Sequence, residues 1–284
     1  MKIIFAGVFN KNSTNWSQSD ALKKNDVKVI EFNYRDAGKQ LGNDERDNLL
    51  IEICKNEKPD VVLFSKCNEI HYRVVDECNK ISKTILWYMD PLNLNFNTSL
   101  IEKINRCDLT FCALTTPYLK AKEIGGDKVF FLQEGFDHIH NYPMDVKKIY
   151  DVSFIGNLRN KRIDYHRNIP FKVISDAYAE KHSLIVSQTE INLNFTEGGT
   201  SDRTYKVLAS RGFLLTEPWS EMENDFTIGE DLDIFTSVSE LKDKIDYYLN
   251  NEIEMDKIRD NGYNKVQKFS RVIWAKKIIE KIYE

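Results

Sequence analysis

The chain has 284 residues, enough for one large domain or two of ordinary size. An apolar share of 42% and a charged share of 30% fit a globular protein, and no apolar run reaches the roughly eighteen residues of a membrane helix. A formal net charge of −4 excludes a globally basic surface for nucleic acid and leaves room only for a local patch.

The opening "MKIIFAGVFN" is too short in its apolar part for a secretory signal and reads as a first strand over 2–7. Buried strands follow at 27–32, 60–64, 84–88, 109–113 and 129–132. Helical patterns lie between them. One covers 44–56, with Leu49, Leu50, Ile53 and Cys54 on one face; another covers 97–105, with Leu100, Ile101 and Ile104. Lys58-Pro59-Asp60 stops a helix and restarts a strand. Strands that are apolar on both faces and alternate with helices predict a parallel sheet covered on both sides. The five cysteines, Cys54, Cys67, Cys78, Cys107 and Cys112, are odd in number and form no CxxC pair. Free thiols in a reducing cytoplasm are expected, not a disulfide framework or a zinc site.

A second series starts at "DVSFIG", 151–156, and continues with strands at 182–187, 191–195, 213–216 and 232–235. Helices are predicted at 240–249 and 255–268, the first opened by a Ser237–Glu240 capping box. Residues 135–148, with a proline and weak periodicity, read as the linker. The expected domains are therefore 1–147 and 148–268, both doubly wound and facing across a cleft. A last helix, 269–284, carries Val272, Ala275, Ile279 and Ile282 as an apolar stripe in need of cover.

The stretch "INLNFTEGGTSDRTYKVLASRGFLLTE" carries the chemistry. A Gly-rich polar loop follows the strand at 191–195, Ser201 or Asp202 caps a helix, and Arg203 sits in its first turn. A cation there opposes the helix dipole. The conflict resolves if the guanidinium and the free backbone N–H groups share an anion such as a phosphate; otherwise Arg203 pairs with Asp202 or Glu197 on the surface. "YDVSFIGNLRNKR" is similar in kind: a strand, then Gly156, which lets backbone approach a ligand, then Asn157, Arg159, Lys161 and Arg162. Two basic clusters at strand ends of one domain suggest a diphosphate, or else one of them is a solvated basic loop. Neither GxGxxG nor a Walker loop is present.

These segments, followed by "FTIGEDLDIFTSVSELKDKIDYYLNNEIEMDKIRDNGYNKV", resemble in order and spacing the CgeB-like, group 1 type glycosyltransferases. "LWYMDP" at 86–91 and "KVFFLQEGFD" at 128–137 resemble the same family's N-terminal half. The resemblance covers most of the chain. It implies a GT-B fold, α/β with two Rossmann-like domains, the acceptor bound by the first and the nucleotide-sugar donor by the second. It also implies metal-independent transfer without a cofactor, a UDP-sugar as favoured co-substrate, and a final helix returning to the N-terminal domain. The family's helix pattern reads Arg, any residue, aromatic, Glu; here it reads Arg203-Thr204-Tyr205-Lys206. Lysine cannot accept the ribose hydroxyl bonds of a carboxylate. Either Lys206 contacts a phosphate, or Glu217 or Glu221 takes the ribose, or donor binding is altered.

The expected roles follow. Arg203 stabilises the leaving diphosphate, with Arg159 or Lys206 as a second cation and Asn157 as a donor; Gly156, Ser201, Tyr205 and Glu217 complete the donor site. Asp90 is the first candidate for an acceptor-side base if the transfer inverts, and binds acceptor only if it retains. His71, His138 and His140 are the other candidates. Gly7, Asn10 and His138, with Trp16, are placed beside the acceptor. A non-catalytic nucleotide- or sugar-binding protein on the same scaffold, favoured by Lys206, and a transferase acting on DNA bases are the competing readings. The acceptor itself is not written in the sequence.

Overall fold

The computed structural model describes residues 1–90, 98–196 and 199–284. In chain order the first elements are β1 (Lys2–Gly7), α1 (Thr14–Lys23), β2 (Lys28–Asn33), α2 (Tyr34–Leu41), α3 (Asn43–Glu57), β3 (Val61–Ser65), α4 (Arg73–Asn79), β4 (Lys83–Tyr88), α5 (Thr98–Arg106), β5 (Leu109–Cys112), α6 (Thr115–Gly125) and β6 (Val129–Phe131). A second set follows: β7 (Tyr150–Ile155), α7 (Lys161–Asn168), β8 (Lys172–Ile174), α8 (Glu180–Ser187), β9 (Thr189–Asn194), α9 (Asp202–Ala209), β10 (Phe213–Thr216), β11 (Asp233–Ile234), α10 (Val238–Leu249), α11 (Glu252–Val266) and α12 (Arg271–Tyr283).

The chain forms two compact units, Met1–Glu134 with Arg271–Glu284, and Gly135–Ser270. The division falls at Glu134/Gly135 and Ser270/Arg271. The segment 135–148, read from the sequence as a linker, thus belongs wholly to the second unit. Phe136 joins that unit by donating its N–H to the Phe269 carbonyl at 3.1 Å.

The first unit holds a six-stranded sheet in the order β2-β1-β3-β4-β5-β6, with every pairing parallel. Alternate residues of each strand serve opposite faces. Ile4 and Ala6 pack with Val62, Phe64 and Leu86 in one core; Ile3 and Phe5 pack with Val61, Leu63 and Ile85 in the other. The second core includes α12, through Trp274, Ala275 and Ile278, with Val272, Ile279 and Ile282 half-buried beside them. The Trp274 ring meets Trp87 edge-on, centroids 5.2 Å apart. The C-terminal helix is therefore a layer of the first unit, and the first unit's sheet is what its apolar stripe covers.

The second unit's sheet runs β11-β10-β9-β7-β8, again all parallel. Val152, Phe154, Ile191, Leu193, Phe213 and Leu215 face α10 and α11 in one core, while Ile155 and Leu214 face α8 and α9 in the other. In both units the strand order reverses beside the first strand, between β1 and β3 and between β7 and β9. Ligands of open parallel sheets lodge beyond the carboxyl ends of strands at such a reversal.

Two expectations need correction. Residues 182–187 form helix α8, not a strand. A short apolar run reads alike as a buried strand or a buried helix, and α8 is buried on several sides, at His182, Ser183, Ile185, Val186 and Ser187. The strand in that region is β8, three residues at the sheet edge. Residues 14–23 form α1, a helix that is not among those expected from the sequence. Its buried positions are Asn15, Ser17, Gln18 and Ser19 as well as Ala21 and Leu22, so it shows no apolar stripe.

Candidate active site

The reversal in the second unit is built around Phe154 and two arginines. β7 ends at Ile155, and Gly156 turns the chain with φ +150°. A Cβ at Gly156 would lie 2.8 Å from the Phe154 ring and 3.0 Å from Nη2 of Arg203. Glycine is needed there because a guanidinium passes over the backbone. Arg203 donates from Nε to the Ile155 carbonyl at 2.7 Å and from Nη1 to Oδ1 of Asn194 at 2.8 Å. Its Cζ stands 4.9 Å from the Phe154 ring centroid, a cation–π distance. One side chain therefore ties α9 to the carboxyl ends of both β7 and β9. Arg162, from α7, covers the same ring at 5.3 Å and donates to the carbonyls of Asn157 (3.2 Å) and Phe195 (3.4 Å). It fixes the loops that follow the two strands.

A pocket of about 300 Å³ opens at this edge. Of the residues expected to bind donor, Gly156, Asn157, Arg159, Arg203 and Lys206 line it, joined by Arg162, Asp202, Ser175, Ala177, Tyr178 and His182. Lys206 forms an ion pair with Asp202 one turn before it. Ser201 is the N-cap of α9 in extended backbone, but its hydroxyl makes no capping bond and has no partner among the described residues. The other two donor candidates lie elsewhere. Tyr205 is 1% exposed and packs against Phe226 and Phe269. Glu217 accepts from the Thr196 N–H at 2.9 Å and pairs with Lys161 at 2.8 Å. Its carboxylate joins the ends of β9 and β10 to α7, and it is not part of the pocket lining. Glu197, the alternative partner for Arg203, lies outside the described residues.

His182 and Asn194 were not singled out from the sequence. His182 sits in a run that reads as plain core, and Asn194 hides inside a strand. Asn194 also donates to the hydroxyls of Thr204 and Thr216, at 3.3 and 3.1 Å. Alternating Asn192 and Asn194 in an otherwise apolar strand is the signal that could have drawn notice. Burial, with Lys206 and Arg203 nearby, pushes the His182 imidazole down to about 3, so it is neutral at neutral pH.

In the first unit, Gly7 ends β1. A Cβ there would meet Oδ1 of Asn15 at 2.7 Å, because Asn15 reaches back to accept from the Val8 N–H at 2.8 Å while donating to Ser65 at 2.8 Å. Asn10 is exposed beside it. Asp90 follows β4 and pairs with Nζ of Lys66 at 2.5 Å. Lys66 and Cys67 are consecutive left-handed residues, φ 59° and 50°, held by the buried Lys103, which donates to the Cys67 carbonyl at 2.8 Å. The first unit thus brings together β1, β3 and β4 residues at its own reversal. His138 and His140, by contrast, belong to the second unit, and His71 lies exposed before α4 with Nδ1 accepting from the Arg73 N–H. The five cysteines are free and buried. Among the described residues, no group of His, Cys, Asp and Glu gathers as metal ligands, and no helix is long and apolar enough to cross a membrane.

Residues 144–275 match the model of the glycosyl transferase-like family. The match spans the whole of the pocket just described. No curated protein sequence matches the chain significantly. Among solved structures, HepE of Anabaena in complex with UDP-glucose is similar over 100% of this chain and 99% of its own, with a TM-score of 0.70 at 12% identity. The sucrose-phosphate synthase of Thermosynechococcus elongatus is similar over 100% and 99%, with a TM-score of 0.71 at 9% identity. A glycosyltransferase of Rickettsia africae is similar over 99% and 97%, with a TM-score of 0.67 at 11% identity. The fold is that of the two-domain GT-B glycosyltransferases.

Proposed function

We propose that the protein is a glycosyltransferase that moves a sugar, a hexose in the first instance, from a nucleoside-diphosphate sugar to an acceptor by metal-independent GT-B chemistry. The observation that carries this reading is Arg203, anchored to Ile155 and Asn194 at the edge of a pocket that also holds Arg159, Lys206 and the Gly156 turn. A glycosyl transition state gathers negative charge on the departing diphosphate. Fixed cations and N–H donors placed before the reaction stabilise that charge without reorganising. Arg203 is the principal cation, Arg159 or Lys206 the second, and Asn157 a hydrogen-bond donor. UDP is the favoured nucleotide, supported by the HepE structures, which hold UDP-glucose and UDP.

On the acceptor side we assign Asp90, paired with Lys66, as the base of an inverting transfer, or as an acceptor-binding group if the transfer retains. Gly7 and Asn10 are placed with it. A cytoplasmic location belongs to the same reading. A second reading, a nucleotide- or sugar-binding protein without transfer, is favoured by one feature: the lysine at 206, where a carboxylate would accept ribose bonds, is engaged with Asp202. Hydrolysis or transfer of a UDP-sugar separates the two, since a binding protein shows neither.

The decisive experiment is thermal unfolding of the wild type, Arg203→Ala and Arg203→Lys with UDP, GDP, ADP and TDP. A ligand at about a hundred times its dissociation constant adds roughly 2.7 kcal/mol, a rise of several degrees at about 2–4 °C per kcal/mol. A rise with UDP that is lost in both variants supports the donor site. No rise with any nucleotide in the wild type overturns it.

A further inference from the structure

His182 is 6% exposed and stands in the first turn of α8, on the wall of the pocket that holds Arg203 and Lys206. Its Nδ1 has no hydrogen-bond partner among the described residues. Asn194 at this edge has three bonds and Glu217 two partners, while the Ser201 hydroxyl shares with Nδ1 of His182 the lack of a partner among the described residues. An orphaned polar atom beside a pocket calls for a partner that enters from outside.

The nature of that partner follows from charge. Buried next to Arg203 and Lys206, the imidazole is kept from protonating. It offers one donor and one acceptor and no charge. It adds no charge to the holding of an anion, a charge the arginine and lysine supply. The group it suits is uncharged and polar. Four residues earlier, Tyr178 stands 73% exposed on the same pocket wall. An aromatic face free in solvent is a stacking platform for a heterocycle. Both residues follow β8, the neighbour of β7, and line one pocket with Arg203, so a single ligand with its anionic part at Arg203 reaches them with its other end.

We propose that His182, with Tyr178 at the rim, reads the nucleoside part of the donor: His182 hydrogen-bonds an uncharged polar edge of that nucleoside and Tyr178 stacks on its base. The proposal rests on the donor-site reading above. It gives the pocket two halves, an anion-binding one at the end of β7 and on α9, and a neutral one between the end of β8 and the first turn of α8.

The test is calorimetric titration of wild type, His182→Phe, His182→Asn and Tyr178→Ala with UDP, 2′-deoxy-UDP and inorganic pyrophosphate. Loss of one hydrogen bond to a neutral group predicts that His182→Phe weakens UDP about threefold to tenfold, with pyrophosphate unchanged. His182→Asn keeps a polar atom near Nδ1 and retains most of the UDP affinity. Tyr178→Ala weakens UDP and spares pyrophosphate. If 2′-deoxy-UDP is insensitive to His182→Phe, the polar edge is the ribose hydroxyl; if it responds as UDP does, the edge belongs to the base. Nitrogen-15 spectra of the wild-type histidines supply a readout free of folding defects: the Nδ1 resonance of His182 shifts on addition of UDP and stays in place with pyrophosphate. A wild type that binds pyrophosphate and UDP, with an unmoved Nδ1 resonance or with His182→Phe weakening both ligands equally, overturns this inference and leaves the donor site standing. A wild type that binds neither overturns the donor site itself.

Discussion

Arg203 and Asn194 are joined by a 2.8 Å bond from Nη1 to Oδ1, and Asn194 is fully buried. The asparagine passes that hold on to Thr204 and Thr216 through its amide nitrogen. Three elements of the second unit therefore meet at one side chain. Asn194→Ala removes the acceptor of a guanidinium bond and takes one bond from each of two threonine hydroxyls, which keep Glu217 O (2.9 Å, from Thr216) and the Thr200 hydroxyl (3.4 Å, to Thr204). Each unsatisfied buried group costs about 1–3 kcal/mol. Urea unfolding should show a loss in that range or above it, and the nucleotide-induced rise in melting temperature should shrink as Arg203 loses its aim. An unchanged rise would separate the asparagine from the binding geometry.

Gly156→Ala tests the same corner from the other strand. The new methyl would meet the Phe154 ring and Arg203 Nη2 at 3.0 Å or less, in a backbone conformation that L-residues rarely adopt. Overpacking of this kind costs roughly 1–3 kcal/mol. Because the flexible neighbour is the guanidinium, it is Arg203 that yields. UDP affinity is expected to fall by about tenfold or more, the equivalent of roughly 1.4 kcal/mol, while the fold persists. Calorimetric titration of the folded variant checks this.

The His182 imidazole gives the protein a pH signature. Its folded pKa lies at about 3 against an ordinary value of 6.5. Between those limits the unfolded chain binds a proton that the folded protein does not, so stability is fully present above about pH 6.5 and falls as pH drops. The slope from this one group reaches about 1.4 kcal/mol per pH unit at most. Denaturant unfolding of wild type and His182→Asn at pH 7.5, 6 and 5 should show the wild type losing stability faster on acidification, since carboxylates common to both cancel in the difference. Parallel losses would mean that the ring is already protonated when folded.

Trp274 carries the attachment of α12. Its ring is 2% exposed and packs edge-on to Trp87. Trp274→Ala should cost about 3–5 kcal/mol and loosen the last helix. Limited proteolysis then cleaves near the start of α12 before any cut in the second unit. Equal resistance of the two proteins would show that the half-buried Val272, Ile279 and Ile282 hold the helix without the indole.

The legible parts of the chain were those whose physics is local. Apolar runs such as 61–64, just after Pro59, and 213–216, just after Gly212, form the interior strands expected of them, and Ser237 caps α10 by accepting from the Glu240 N–H at 3.1 Å as its spacing foretold. Glu240 reaches back as a capping box should, but to the N–H of Thr236, not to that of the cap itself, at 2.8 Å. That Gly156, Asn157, Arg159, Arg203 and Lys206 line one pocket was legible too, from a glycine at a strand end and a cation in the first turn of a helix. α1 was not, since its buried side turns polar residues toward Ser65 and the β1 turn. Nor was α8, whose apolar run has no period that separates helix from strand.

Sequence by itself determined that this protein is built of two parallel α/β series, that cations gather at strand ends of the second, and that the last helix has an apolar stripe to bury. Only the tertiary structure decided which of the chosen residues meet. Parallel strands far apart in the chain become neighbours at a reversal of strand order, and that order is set by how helices cover both faces of a sheet, not by any local run of residues. It placed Glu217 against Lys161 and Tyr205 in the core, drew Asn194 and His182 to Arg203, and moved 135–148 into the second unit. Pairing across such distances depends on packing between segments, and no window of the sequence contains it.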